Sequence, residues 1–149
     1  MSISHRHMIA PLLLRLIIGP GFMVHGWAKI SRGTGGFEKL LAFEGVPLAH
    51  LSAVIAPYVE LFGGLAILAG AYVVITAIPL LLTMLVATVF VQGHYGFSSV
   101  KTIGLTSDGP QFGAPCIEIN LLYIAALLSL ILTRAGTLSI DKWRQRRHG

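Results

Sequence analysis

A long stretch with almost no charge dominates this sequence: across residues 45–100, the only charged residue is Glu60. As one continuous helix it would be more than twice as long as the roughly 30 Å hydrocarbon core of a bilayer. The stretch must therefore fold back on itself. Gly70 is the best point for the reversal, because glycine readily adopts the left-handed conformation that ends many helices. The sequence predicts membrane spans at about 50–69 and 72–93.

Two more apolar segments flank this stretch. The first predicts a helix at about 8–30, in which Arg15 is the only charged residue before the last turn. The other predicts a helix at about 115–133, with Pro115 in its first turn, where proline is well tolerated. The chain is 54% hydrophobic and 11% charged, whereas soluble domains carry about 25% charged residues. We therefore predict an all-α fold, an integral membrane antiparallel four-helix bundle that forms one domain over residues 1–149.

The basic residues are concentrated at the two chain ends, and the net charge is +5. Arg6 precedes the first helix, and a basic tail occupies residues 134–149. Four spans place both ends on the same side, and the positive-inside rule assigns that side to the cytoplasm. We expect the tail to contact anionic lipid head groups. Nucleic acid is not an expected partner, because outside the tail there is no basic face with interleaved aromatic residues.

Ionisable residues inside predicted spans are costly and commonly functional. Arg15 and Glu60 are predicted at depths that differ by about 5 Å, so we expect them to form a buried ion pair. Small residues around them, including Gly19 in the first helix and Gly63 and Gly64 in the second, predict that these two helix faces pack closely. The pair could be purely structural, or it could serve a ligand, a quinone or a proton; pairing alone does not separate these roles.

A second group of polar residues is predicted at the outer ends of the helices. Together with Glu60, it is expected to line a cavity in the bundle: His25, Lys29, His94 and Glu118, with Gln92, Tyr95 and Asn120 nearby. The alternative interpretation is that these are interfacial residues, since His, Tyr and Lys are common at membrane borders.

Metal and thiol chemistry find little support in the sequence. The paired Glu-x-x-His motif of di-iron bundles is absent, so we predict no metal site. A haem held between His25 and His94 is a further alternative. Cys116 is the only cysteine, which excludes an internal disulfide and a CxxC redox pair. No covalently bound cofactor is expected.

Five short segments occur in an order that resembles the DoxX family of small four-helix membrane proteins. They are LLLRLIIGPGFMVHGWAKI at 12–30, GGFEKLLAFEGVP at 35–47, VELFGGLAILAG at 59–70, GHYGF at 93–97 and AGTLSID at 135–141. The resemblance carries the family motifs onto these positions of the chain: Arg15, His25, Gly26, Lys29, Glu60, Gly63, Gly64, His94, Ser139 and Asp141.

The resemblance also implies a location and a role. It implies a bundle in the bacterial cytoplasmic (inner) membrane, and the family is named after a subunit associated with thiosulfate:quinone oxidoreductase. We therefore expect a membrane subunit that supports quinone-linked chemistry supplied by a partner protein, at most a non-autonomous part of an enzyme. No catalytic residue is assigned. The alternatives are a small-molecule transporter or binding protein that acts as a homo-oligomer, and a structural anchor without chemistry of its own.

Overall fold

The computed structural model describes residues 3–98, 101–113 and 116–148. Pro115, the predicted start of the fourth span, lies outside these residues, as do Met1, Ser2 and Gly149. The described residues contain six α-helices, α1 (Ile3–Ser31), α2 (Thr34–Phe43), α3 (Ala49–Ala69), α4 (Val73–Val86), α5 (Ile117–Thr133) and α6 (Ile140–His148). A π-helical segment (Ala87–Gln92) and a 3-10 turn (Gly93–Tyr95) continue α4, and two strands, β1 (Thr102–Thr106) and β2 (Gly109–Phe112), precede α5.

Three segments of the described chain are long and apolar enough to cross a membrane: Ile9–Ser31, Ala49–Ala69 and Val73–Tyr95. They agree with the predicted spans at 8–30, 50–69 and 72–93. The fourth apolar helix, α5, has 17 residues, which is near the lower limit of about 17 for a spanning helix. The chain therefore has the helices of a multi-pass membrane protein.

The prediction of a purely α-helical fold is wrong between residues 102 and 112. There β1 and β2 pair antiparallel, with Thr106 opposite Gly109. Gly109 has a φ of 119°, a value that residues with a side chain rarely adopt. The Asp108–Gly109 dipeptide is a typical hairpin signal, so the sequence did indicate a β-hairpin at this point. The strands fill much of the connection that precedes α5.

The four apolar helices contact each other in a ring: α1 packs on α3, α3 on α4, α4 on α5, and α5 on α1. A buried apolar cluster fills the space between them, including Phe22, Ile67, Leu80, Leu127 and Leu130. Helix α2 lies outside the ring and packs on α3, where its Leu41 is buried against a second, smaller cluster.

Glycines bring α1 and α3 close enough for backbone contact. A Cβ atom added to Gly64 would lie 2.6 Å from the carbonyl oxygen of Gly19, and one added to Gly26 would lie 2.5 Å from that of Pro57. Such distances leave no room for a side chain, and small residues commonly permit this kind of approach between membrane helices. The prediction that these two faces pack together is confirmed for Gly19 and Gly64, but it is wrong for Gly63, which faces Leu80 on α4.

Arg15 joins α1 to the ends of two other helices. Its Nε donates to the carbonyl of Ile67 at 2.9 Å, its Nη2 to that of Leu68 at 2.8 Å and its Nη1 to that of Ala135 at 2.8 Å. Longer bonds reach the carbonyls of residues 137–138. Carbonyls in the last turn of a helix lack helical N–H partners and attract positive charge. Arg15, which is 1% exposed, therefore joins α1 to the end of α3 and to the segment after α5.

The predicted ion pair between Arg15 and Glu60 is wrong. Glu60 lies two helical turns before Ile67, about 10 Å away along α3, and its carboxylate binds Lys29 instead. Arginine carries five N–H donors in a planar fork. Several carbonyls at the helix ends satisfy that fork better than one carboxylate could.

The tail is built into the fold through Asp141. Its two carboxylate oxygens accept the backbone N–H groups of Tyr72 at 2.7 Å and Val73 at 3.0 Å, and its own N–H donates to the carbonyl of Gly70 at 3.0 Å. These bonds cap the start of α4 as an N-cap carboxylate would. The hydroxyl of Ser139 in turn accepts the N–H of Lys142 at 3.2 Å, at the start of α6.

The glycine contact predicts a clear difference between two alanine substitutions. Gly64→Ala forces apart backbone atoms that now touch, so we expect it to lower the free energy of unfolding by about 1–3 kcal/mol. Gly36→Ala is the control, because a Cβ at Gly36 in α2 meets no atom within 4 Å. Thermal unfolding of the detergent-solubilised protein measures both. Equal effects would contradict the close α1–α3 packing.

Replacing Arg15 tests its role as a cap for carbonyls. Arg15→Met leaves several buried carbonyls without a donor, so we expect a loss of about 3 kcal/mol or more in the free energy of unfolding. Adding Glu60→Gln should recover nothing, because the two residues have no shared partner and their effects should add within about 0.5 kcal/mol. Lys39→Met, which removes an exposed cation on α2, is the control for charge. Substantial recovery in the double variant would restore the ion-pair hypothesis.

Candidate functional site

An ion pair between Lys29 and Glu60 links α1 to α3. The Lys29 Nζ lies 2.6 Å from both carboxylate oxygens of Glu60. The Glu60 side chain is 2% exposed and that of Lys29 is 26% exposed. The Lys29 ammonium also lies 4.8 Å from the centroid of the Phe37 ring on α2, within the range of a cation–π contact. The close approach of α1 to α3 at Gly26, one turn before Lys29, brings the ammonium within reach of Glu60.

This pair lies on the wall of a cavity of about 630 Å³. Every helix from α1 to α5 contributes to the wall, as does the π-helical segment, and most of the lining is Leu, Ile, Val and Ala. The main polar side chains of the lining are His25, Lys29, Glu60, Gln92, Asn120 and Tyr123. Ligand sites in proteins have this character, a largely apolar cleft with a few placed polar groups.

Two polar atoms in the wall have no hydrogen-bond partner within the described chain. They are the Oε1 of Gln92 and the Nδ2 of Asn120. Asn120 is 6% exposed, and leaving a buried amide unpaired costs about 1–3 kcal/mol. Gln92 ends the π-helical segment, and such wide turns often occur at functional sites. The two amides point to a polar ligand in the cavity.

Tyr123 is a lining residue that sequence reasoning missed. Its ring meets that of Phe22 edge-on at 5.0 Å and that of His25 at 6.2 Å. Gly21 leaves the space that the Tyr123 hydroxyl occupies. The sequence did contain a signal for Tyr123, because Tyr123 follows Asn120 by three residues and so shares its helix face.

The predicted cavity residues separate into two groups. His25, Lys29 and Glu60 line the same cavity. His94 lies outside its lining, with its Nδ1 3.8 Å from the Oε2 of Glu44. Glu118 is also outside the lining; positions two apart on a helix do not face the same way, and Asn120 already faces the cavity. The haem alternative, which needed His25 and His94 together, gains no support from this arrangement.

The remaining groups that could bind a metal or react as a thiol do not form a second site in the described part of the chain. Among residues 3–98, 101–113 and 116–148, no three His, Cys, Asp or Glu side chains are close enough together to hold a metal ion. Cys116 is buried, and its sulfur donates to the carbonyl of Tyr95 at 3.4 Å. The cavity beside Lys29 and Glu60 is therefore the candidate functional site.

The Lys29–Glu60 pair predicts coupling between two substitutions. Lys29→Met leaves the buried carboxylate of Glu60 without its counter-charge, so we expect a loss of about 2–3 kcal/mol in the free energy of unfolding. Adding Glu60→Gln should recover part of it, because no uncompensated charge then remains. Thermal unfolding of the single and double variants measures the coupling. Simple additivity of the two losses would show that the contact contributes nothing.

The DoxX family model matches residues 10–93, which is more than half of the chain and covers most of α1 and all of α2, α3 and α4. His25, Lys29 and Glu60 lie within the match, whereas α5 and the 135–141 motif lie beyond it. No curated protein and no solved structure matches the chain. From this family match and its helical architecture, we conclude that the chain belongs to the DoxX family.

Proposed function

We propose that α1, α3, α4 and α5 form an antiparallel four-helix bundle in the bacterial inner membrane, with both termini in the cytoplasm. The ring of contacts among the four helices supports the bundle. Helix α5 is about 26 Å long at 1.5 Å per residue, and a slightly short helix is accommodated by local thinning of the bilayer. The concentration of Lys and Arg in residues 134–147 supports the orientation.

We propose further that the cavity binds a quinone and that the protein is the membrane subunit of a quinone-linked oxidoreductase. One observation carries this proposal: a largely apolar cavity of about 630 Å³ is lined by a partly buried ion pair and two unpaired amide atoms. Buried amide atoms rarely lack a hydrogen-bond partner, so the two unpaired atoms support a polar ligand in the cavity.

The lining fits the chemistry of a quinone. A quinone has an apolar ring and two carbonyl oxygens, and the unpaired Nδ2 of Asn120 is a donor for one of them. The unpaired Oε1 of Gln92 is an acceptor for a hydroxyl group of the reduced form. When bound, a quinone supplies two-electron, two-proton chemistry. The apolar lining excludes water, and Lys29 and Glu60 provide a proton donor and acceptor at the wall. Electrons would come from a partner protein, because the chain has a single cysteine.

Quinone retention tests this proposal. Lipids extracted from the purified protein should contain quinone in about stoichiometric amount. Asn120→Leu should lower retention at least about tenfold, since it removes a donor to the ligand. In quinone-free protein the same substitution removes an unpaired buried amide, so the unfolding temperature of the quinone-free variant should equal or exceed that of the quinone-free wild type. Opposite changes in retention and stability distinguish lost binding from lost folding.

Leu13→Ala is the matched control, because Leu13 is 56% exposed on α1 and lies outside the cavity lining. It should retain quinone like the wild type. Glu60→Gln should weaken retention as well. Wild-type protein without quinone, or full retention by Asn120→Leu, would contradict the proposal and favour the structural anchor.

A further inference from the structure

A second, smaller cleft of about 200 Å³ lies at the opposite end of the structure from the hairpin, where the tail meets α4 and α5. It shares no lining residue with the central cavity. Its lining comes from the start of α4, the turn after α5 and one face of α6: Val74, Arg134, Ala135, Gly136, Asp141, Lys142 and Gln145.

The charge at this cleft is positive. Arg134 and Lys142 supply two cations, and Gln145 adds an amide donor. Asp141 is the only acidic residue in the tail, and both of its oxygens already accept N–H groups at the start of α4. Arg144, Arg146 and Arg147 add three more cations on α6. The cleft is therefore complementary to an anion.

The backbone at the start of α6, which carries Lys142, is held in place by the fold. The bond from the N–H of Asp141 to the carbonyl of Gly70 and the Ser139 cap fix the start of α6 against the α3–α4 turn. Arg144 lies over the ring of Tyr72, at 4.5 Å from its centroid. A positioned site loses less conformational entropy on binding than a free tail does.

Apolar and aromatic surface surrounds the cleft. Leu132, in the last turn of α5, is 83% exposed, and Ile75, in the first turn of α4, is 68% exposed. Tyr72 and Trp143 are each 54% exposed, and such amphipathic rings are enriched at the border between lipid and water. The cations of the cleft therefore lie next to apolar helix surface. A phospholipid requires both, cations for its phosphate and apolar surface for its acyl chains.

We propose that this cleft binds the phosphate group of an anionic phospholipid, with the acyl chains along the exposed faces of α4 and α5. Arg134 and Lys142 would hold the phosphate, and Gln145 would donate to one of its oxygens. Clusters of Lys and Arg next to a membrane helix bind anionic lipids in this way. The proposal requires insertion in a membrane and does not depend on the ligand of the central cavity.

Native mass spectrometry of the detergent-solubilised protein, titrated with phosphatidylglycerol, tests this site. The wild type should bind phosphatidylglycerol more tightly than phosphatidylcholine with the same acyl chains. Arg134→Gln/Lys142→Gln should weaken phosphatidylglycerol binding by roughly fivefold for each cation removed. Lys39→Gln/Lys101→Gln is the matched control, with the same change in net charge at the opposite end, and should bind like the wild type. Quinone retention should be unchanged in both pairs, which keeps this test separate from that of the cavity.

Three results would overturn the proposal: equal affinity for the two lipids, wild-type affinity in the tail pair, and equal weakening in the control pair. Displacement of the lipid by glycerol 3-phosphate at comparable concentration would show a soluble phosphate site instead, and so overturn the lipid assignment. Arg134→Gln alone is measured in parallel, because replacing this one exposed residue disturbs the fold less than the double substitution does. It should weaken binding about fivefold with an unchanged unfolding temperature.

Discussion

Polar groups in an apolar surrounding need hydrogen-bond partners within the protein. In this chain the guanidinium of Arg15 needs the largest number of such partners. It bonds to carbonyls at the end of α3 and in the segment after α5. These bonds set the position of α1 relative to both helices, and the glycine contact between α1 and α3 extends that alignment along their length. The same alignment brings Lys29 to Glu60 at the far end of α1. The position of the cavity wall thus depends on a residue that does not touch it.

Much of this architecture could be predicted from the sequence. The charge-free stretch around Glu60 predicted two helices joined at Gly70, and the structure has α3 and α4 there, with Gly70 at a φ of 69°. The small-residue stripes predicted which faces of α1 and α3 meet. The partner of Arg15 could not be predicted in this way, because every residue has a backbone carbonyl and sequence patterns do not reveal which carbonyls lack a donor. The predicted depths in the membrane therefore indicated Glu60, the nearest opposite charge, as the partner of Arg15.

The site was predictable in part, for a related reason. His25, Lys29 and Glu60 are ionisable residues in apolar helices, and that contrast is visible in a sequence. Gln92 reaches the cavity through a π-helical turn, and α2 closes one side of it by packing on α3. Neither feature has a distinct signature in hydrophobic periodicity. His94 and Glu118 were assigned to the cavity from their predicted depth in the membrane alone. The direction of each side chain around its helix axis decides what it contacts.

The position of Asp141 has a consequence for how the chain assembles during synthesis. Proteins are made from the N-terminus, and early segments fold while later ones are still on the ribosome. Arg15 is made well before its acceptors at Ala135 and Leu138, which follow it by 120 and 123 residues. The N–H groups at the start of α4 likewise wait for a carboxylate almost seventy positions later. Until residues 135–141 have been made, α1 and α3 are held by their glycine contact, the Lys29–Glu60 pair and the Arg15 bonds to Ile67 and Leu68, without the bonds that join them to the tail. A chain stopped before residue 135 would therefore keep the Arg15 bonds to α3 but leave the Nη1 of Arg15 without its acceptors.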